Sequence, residues 1–316
     1  MSRGGANADA EFDDIRVRFS ESAGGANVDA GKGNGILTRR RPRWRGPLFV
    51  SFAVVLSGCS TAPMTRSGSL SSYDDLTPSD GVLTKSQLRV AKDHVLAART
   101  VRIVTTSFSE SASPALSARQ RKLVANVVDR SLCASLGDRF EVVGPNEPAD
   151  LTVRAVVTQA VDTNELAAGA SKVASIVPMA LGSPIPVPRL PVGLGSLTLE
   201  AEALDSTGKQ QAAMIWARGA DSFTTSATVS KAGDAYELAN AFGGDFSRLL
   251  VTGSSPFGAA PSAPSLEKMS SSLGGKPKYA ACEAFGRGPG VGGMIAGRVG
   301  LPPEWSDEGA PPAMPQ

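Results

Sequence analysis

Apolar residues follow a two-residue period in several stretches of the chain and a helical period in two others. Val101, Ile103 and Thr105 alternate with Arg102 and Val104, which predicts a strand over Thr100–Phe108. Phe140–Val143 predicts a short strand closed by Gly144-Pro145. In Leu151–Val161, Leu151, Val153, Ala155 and Val157 point one way and Thr152, Arg154 and Thr158 the other. Ser196–Leu204 sets Leu197, Leu199, Ala201 and Ala203 against Thr198, Glu200 and Glu202. Asp205-Ser206-Thr207-Gly208 then supplies turn residues, and Gln211–Arg218 returns as the hairpin partner. Leu116, Leu123, Val124, Val127, Val128, Leu132 and Leu136 recur at three- and four-residue steps, a helix capped by Ser117 and stopped by Gly137. Arg119, Arg121, Lys122, Asp129 and Arg130 are expected on its wet side. A second helix is predicted near Asp234–Val251, with Ala235, Leu238, Ala239, Phe242, Phe246 and Leu249 on one face. Gly243-Gly244 weakens its centre by about 1 kcal/mol per glycine relative to alanine, and marks either close packing on a sheet or a kink.

These elements predict one α+β domain over 81–253, a mostly antiparallel sheet with two helices packed on one face. Flexible extensions are expected on both sides. Residues 59–80 are rich in Ser, Thr and Gly and read as a flexible tether. Residues 254–316, rich in Pro, Gly and Ser, read as a poorly structured tail pinned where Cys282 and Phe285 touch the body. Within it Gly288–Gly300 is glycine-rich and apolar; a flexible segment is the expectation and a membrane- or partner-inserting one the alternative. Asn164–Gly195 is a long excursion between strands. Leu166–Leu181 is small and apolar with one charge, Lys172, and Pro184, Pro186, Pro188 and Pro191 force an extended course. A helix covering the sheet is the expectation there; contact with a partner or lipid is the alternative.

The first 58 residues change the picture of the rest. Arg39, Arg40, Arg41, Arg43 and Arg45 precede the apolar run Pro47–Leu56, and Leu56-Ser57-Gly58-Cys59 closes it. Basic, apolar and small is the layout of a secretory signal, and a cysteine at the cleavage point makes it look like a bacterial lipobox. Cleavage would fall just before Cys59, whose thiol would carry the lipid. The run is too short to span a bilayer, which needs roughly 20 apolar residues, whereas several acyl chains anchor stably. Met1–Leu37 lacks periodicity and is long for such a leader, so the natural start is expected near Val28 or Leu37. Thr38-Arg39-Arg40 only faintly matches a twin-arginine signal, because Pro42 and Arg43 stand where that signal has apolar residues. Ser60 after the cysteine fits transfer to the outer membrane.

Charge and cysteine follow from the same cut. Residues 1–58 hold nine Lys/Arg and six Asp/Glu, leaving 23 basic and 24 acidic residues beyond them. That balance has no footprint for nucleic acid. Cys133 and Cys282 remain, an even pair in an oxidising compartment, and are expected to form a disulfide; two buried free thiols are the alternative.

No catalytic constellation emerges. His94 is the single histidine, and no GxSxG elbow accompanies it. Asp74-Asp75 lies in the lead-in. Glu200 and Glu202 share a strand face and read as the wet side of a half-exposed sheet. Gly31-Lys32-Gly33 precedes the cleavage point. Neither remaining cysteine has a CxxC neighbour, and no metal-ligand spacing appears, so no metal or cofactor is expected.

Gly68-Ser69-Leu70-Ser71-Ser72-Tyr73-Asp74-Asp75-Leu76, the strand Phe140–Val143 followed by Asp150–Thr158, and Leu197–Asp205 followed by Thr207-Gly208 occur in this order. Over roughly Ser67–Leu250 the chain thereby resembles the bacterial lipoproteins of the domain of unknown function 3313 family. The resemblance implies an envelope location and one α/β domain, and brings no activity, ligand or catalytic residue; the 164–195 excursion and the tail depart from it. The expectation is a lipoprotein on the periplasmic face of the outer membrane, acting as a binding or accessory subunit of an envelope, transport or secretion assembly. Its contact surfaces would be the sheet edge and the 164–195 loop. A periplasmic enzyme, or a carrier of a small ligand or lipid, is the alternative.

Overall fold

The computed structural model describes residues 62–64, 66–180, 188–258 and 265–311. Leu56, Ser57, Gly58 and Cys59 lie outside them. In chain order the elements are β1 (Thr77–Pro78), β2 (Thr84–Val90), α1 (Lys92–Ala97), β3 (Thr100–Ile103), β4 (Ser107–Phe108), α2 (Ala118–Leu136), β5 (Glu141–Val142), β6 (Leu151–Val161), α3 (Glu165–Ala180), β7 (Ser196–Asp205), β8 (Gln210–Gly219) and α4 (Gly233–Thr252). After α4 come α5 (Leu266–Ser272), a 3-10 turn at Ala280–Phe285, α6 (Gly290–Arg298) and a second 3-10 turn at Pro303–Trp305.

The strands form one open, mixed sheet in the order β1-β2-β8-β7-β6-β3-β5, and β4 pairs with β6. From β1 to β6 every pairing is antiparallel. The other side is parallel, with β3 and β4 on β6 and β5 on β3. The parallel part arises because α2 carries the chain from β3 back to the same end of the sheet before β5 begins. Both edge strands, β1 and β5, are two residues long, which leaves little free edge for another strand to pair with.

The predicted alternations select the faces. Leu197, Leu199, Ala201 and Ala203 of β7 join Met214 and Trp216 of β8 and Val153 and Val157 of β6 under α2 and α4. Ser117 caps α2 through a reciprocal capping box with Gln120. Gly243 of α4 faces Ser131 of α2, and a Cβ there would stand 3.1 Å from the Leu132 backbone nitrogen. The Gly243-Gly244 pair therefore serves helix-on-helix contact, and α4 runs through it unbroken to Gly253, whose φ of 61° ends the helix. Trp216 meets Phe242 edge-on at 5.7 Å and donates its indole N–H to Asp245 at 2.8 Å.

Four expectations change. The strand expected over Thr100–Phe108 breaks after Ile103, because buried Asp129 of α2 accepts the Thr106 backbone N–H and hydroxyl in place of a ladder partner. Asp129 and Arg130 are accordingly buried and not on a wet face. The elements β1, β2 and α1 add to those the periodicity predicts. The 254–316 tail also carries helices over its described part. It is bound to α2 by the Cys133–Cys282 disulfide, by Asn126 donating to the Phe285 carbonyl at 2.7 Å, and by the Arg130–Asp307 ion pair, which Tyr236 joins at 2.6 Å. The helix expected in the 164–195 excursion is α3, which occupies its first half, held by Ala168 and Ser171 on its buried side.

Candidate functional site

The sheet face opposite α2 and α4 carries Glu200 and Glu202, and both carboxylates are buried. Their cover is the lead-in segment from Ser67 to Tyr73, which runs along β7. Ser67 donates its backbone N–H to Glu200 Oε1 and its hydroxyl to Oε2, both at 2.8 Å. Ser69 donates through both groups to Oε2, and the Tyr73 hydroxyl reaches the same oxygen at 2.6 Å. Ser71 repeats the pattern two residues on, its N–H to Glu202 Oε2 at 2.8 Å and its hydroxyl to Oε1 at 2.9 Å. Gln210 completes Glu202 at 2.6 Å and also donates to the Ser72 carbonyl at 3.1 Å. Arg154, the cross-strand partner of Glu202 on β6, forms an ion pair with it and donates to Ser71 Oγ at 3.0 Å.

Glu200 and Glu202 are two apart on β7, so they project from one face. The lead-in bends at Gly68, whose φ is 83°, so Ser67 and Ser69 both turn their donors to Glu200 while Ser71 serves Glu202. Leu70 meanwhile packs on Ala213 and Ile215 of β8, with Met64, Tyr73 and Leu76 beside it. Upstream, the Pro63 carbonyl accepts from Thr198 Oγ1 at 3.1 Å. The lead-in therefore enters at the end of the sheet where β7 starts.

Burial alone would raise the Glu200 carboxyl, yet the hydrogen bonds from Ser69, Tyr73 and Ser67 outweigh it and hold the pKa below the ordinary value. The Tyr73 phenol moves the other way, raised by its burial and by the carboxylate it serves. An ionised carboxylate ringed by internal donors is a latch: its lone pairs are engaged by the chain itself. The expectation of a wet, half-exposed face at Glu200 and Glu202 is corrected, because a segment some 130 residues upstream covers them.

The other candidates lie apart from the latch. Asp74 and Asp75 are exposed. His94 is exposed on α1, which packs on the α4 side of the sheet, so the structure does not bring it to the glutamates. Among the described residues no group of three or more His, Cys, Asp or Glu side chains is placed to hold a metal. Cys133 and Cys282 are joined, with their Cα atoms 5.9 Å apart. Asp129 is raised to about 7 by burial, against the lowering effect of the Thr106 hydrogen bonds; it borders an opening of about 340 Å³ lined by Phe108, Arg121 and Lys122. The latch donors Ser67, Ser69, Ser71, Arg154 and Gln210 escaped the sequence reading. Their signal was the Ser-x-Ser-x-Ser spacing set against a Glu-x-Glu strand.

Both halves of the latch lie within the span matched by the family model described as a protein of unknown function, DUF3313, which covers residues 65–246. No curated protein matches the chain. Among solved structures, the PelC dodecamer from Paraburkholderia phytofirmans aligns at 8% identity over 54% of this chain and 98% of its own, with a TM-score of 0.31. A DUF330 protein from Xanthomonas campestris aligns at 11% over 49% and 85%, with a TM-score of 0.30. A DUF4136 family protein from Bacteroides thetaiotaomicron aligns at 14% over 56% and 100%, with a TM-score of 0.27. The family match takes in more than half of the 316 residues, and the chain belongs to the DUF3313 family of proteins of unknown function.

Proposed function

We propose that this protein is a lipoprotein held by Cys59 on the periplasmic face of the outer membrane, where it serves as a binding or accessory subunit of an envelope assembly. One observation carries the reading: the segment that follows the lipobox is latched to the body. From Ser67 to Tyr73 the lead-in is tied to Glu200 and Glu202, eight residues after the cysteine it would hang from. The anchor then acts as a mount, fixing which end of the domain is nearest the membrane. The Cys133–Cys282 disulfide suits an oxidising compartment. With β1 and β5 so short, the envelope partner is expected to be engaged by side-chain surfaces and not by strand addition.

The test is processing and labelling in cells. Globomycin should cause an unprocessed precursor to accumulate, radioactive palmitate should label the chain, and Cys59→Ala should abolish both. Recovery of an unlabelled, unprocessed chain from cytosol overturns the reading. A groove of about 620 Å³ between α2, α4, α5 and α6, lined by Tyr236, Met269, Pro289 and Met294, favours a second reading, a carrier of a small apolar ligand. Organic extraction of the purified protein would then yield a bound molecule in stoichiometric amount.

A further inference from the structure

Helix α3 wears its apolar residues on the outside. Leu166 is 87% exposed and Val173 63%, and Ile176 is exposed on the same side, while Ala168 and Ser171 face the body. Leu166, Ala170 and Val173 follow the i, i+4, i+7 spacing of one helical stripe. An amphipathic helix normally turns that stripe inward. Next to α3 stands Phe223, 73% exposed, in the loop after β8. On the other side Lys172 donates to the Arg298 carbonyl at 2.9 Å, and the Val229 N–H to the Gly300 carbonyl at 2.8 Å. These contacts bring exposed Val299 and Leu301 up to the same region. Such a cluster at one end of a body marks a contact surface.

The chain itself indicates what covers it. In the pairing register Val161 of β6 lies opposite Ser196 of β7, and Ser196 opposite Gly219 of β8. The α3 helix follows Val161 and the Phe223 loop follows Gly219, so both leave the sheet at this end. Pro63 is fixed to Thr198 at the same end. From Ala62 back to Cys59 there are three peptide steps, a reach of at most about 11 Å. A lipid on Cys59 would thus hold this end, and not the opposite one at the Asp205–Lys209 turn, against the bilayer.

We propose that the end of the domain bearing Leu166, Val173, Ile176, Phe223, Val299 and Leu301 is a lipid-contacting surface. Its apolar side chains enter the headgroup and acyl boundary beside the anchor, as the apolar face of an interfacial helix does. Lys172 is held by the Arg298 carbonyl, and the exposed Arg298 beside Val299 is placed to keep its charged end among headgroup phosphates. This inference rests on the lipoprotein reading and adds to it an orientation: the sheet stands with its β6-to-β8 end down and the hairpin turn facing away.

The experiment uses the full acylated chain purified from membranes and reconstituted into phosphatidylethanolamine/phosphatidylglycerol vesicles. With Cys59 acylated and Cys133 joined to Cys282, Val173→Cys introduces one reactive thiol for a nitrobenzoxadiazole label. Lys209→Cys, at the exposed turn on the opposite end, is the control, and both sites are exposed enough to leave folding undisturbed. Lipids spin-labelled near the headgroup are expected to quench the probe at 173 several-fold more than the probe at 209, with blue-shifted emission at 173 alone. Mass spectrometry of the N-terminal peptide and flotation of Cys59→Ala report separately on the anchor. Acylated, floating protein with equal quenching at both sites overturns the lipid surface and leaves the anchor standing. A blue shift at 173 without lipid quenching assigns the stripe to a protein partner and also overturns it. Protein that carries no acyl group yet floats and is quenched at 173 sustains the surface and removes the anchor. Protein that neither carries an acyl group nor floats removes both.

Discussion

At the residue scale, the Glu200 latch makes two measurable demands. Glu200→Gln keeps the shape of the side chain but turns an N–H group toward Ser67, Ser69 and Tyr73, all donors. One or more of them then loses its acceptor, at a cost of about 2 kcal/mol. Amide exchange at Ser67 and Ser69 should accelerate far more than exchange in β7. The pH dependence follows from the lowered carboxyl of Glu200. A folded pKa below the unfolded value of 4.5 stabilises the latch above that pH, and the effect is lost as pH falls through the folded value. Lead-in protection measured by exchange should therefore fade in acid before the sheet melts. Asp129 has the opposite sign. Its folded pKa of about 7 stands above the ordinary 3.8, so its effect on stability is unfavourable and grows as pH rises from about 4 to 7. Asp129→Asn should flatten that decline, which has a limiting slope of about 1.4 kcal/mol per pH unit, in denaturant titrations run across the window. Alternation placed Glu200 and Glu202 on the correct face. Their burial was illegible, because the cover is a serine-rich stretch that composition alone assigns to solvent.

At the element scale, long regular segments were legible nearly to their ends. Ser117, Gly137 and the Leu151–Val161 and Ser196–Leu204 alternations each follow from a local rule of capping or pleat, and no distant residue had to be known. What failed was short or depended on tertiary partners. The six-residue α1 and the two-residue β1 carry too little period to detect, β2 turns Thr84, Ser86 and Leu88 inward and so offers little apolar alternation, and the break between β3 and β4 exists because Asp129 of another element reaches it. The paired glycines of α4 separate local from tertiary effects in one experiment. A Cβ on Gly244 would meet Lys268 Nζ at 3.0 Å, the free end of a flexible chain. Gly244→Ala should therefore gain most of the roughly 1 kcal/mol helix preference of alanine. Gly243→Ala sits against Ser131 and the α2 backbone. Overpacking of about 1–3 kcal/mol should exceed the same preference and lower the melting temperature. Calorimetry of the two variants should give shifts of opposite sign.

At the scale of the whole molecule, the C-terminal tail is a third layer and not an appendage. Its attachments are spread along one face of α2: Asn126 to the Phe285 carbonyl, Arg130 to Asp307, and Cys133 to Cys282. These three positions recur at i, i+4 and i+7, which is one stripe of a helix. The α2 helix is thus amphipathic toward the sheet on one side and bound to the tail on the other, and its charged residues at 129 and 130 follow from this double role. A composition rich in Gly and Pro hides such an arrangement, because the ordering comes from a few distant ties and not from local propensity. Those ties can be removed in order. Cys282→Ser opens a loop of 149 residues and, on loop-closure grounds, removes about 4–5 kcal/mol if the native bond is unstrained. Truncation after Gly258 removes the disulfide, the Asp307 carboxylate and the Phe285 carbonyl together. It leaves the Arg130 guanidinium and the Asn126 amide of α2 without their partners, so it should depress the melting temperature further than Cys282→Ser. Binding of a hydrophobic dye should rise with it, reporting exposed α2 surface. Equal melting temperatures for the two variants would mean that the cross-link alone secures the tail and that the Asp307 network adds nothing to the fold.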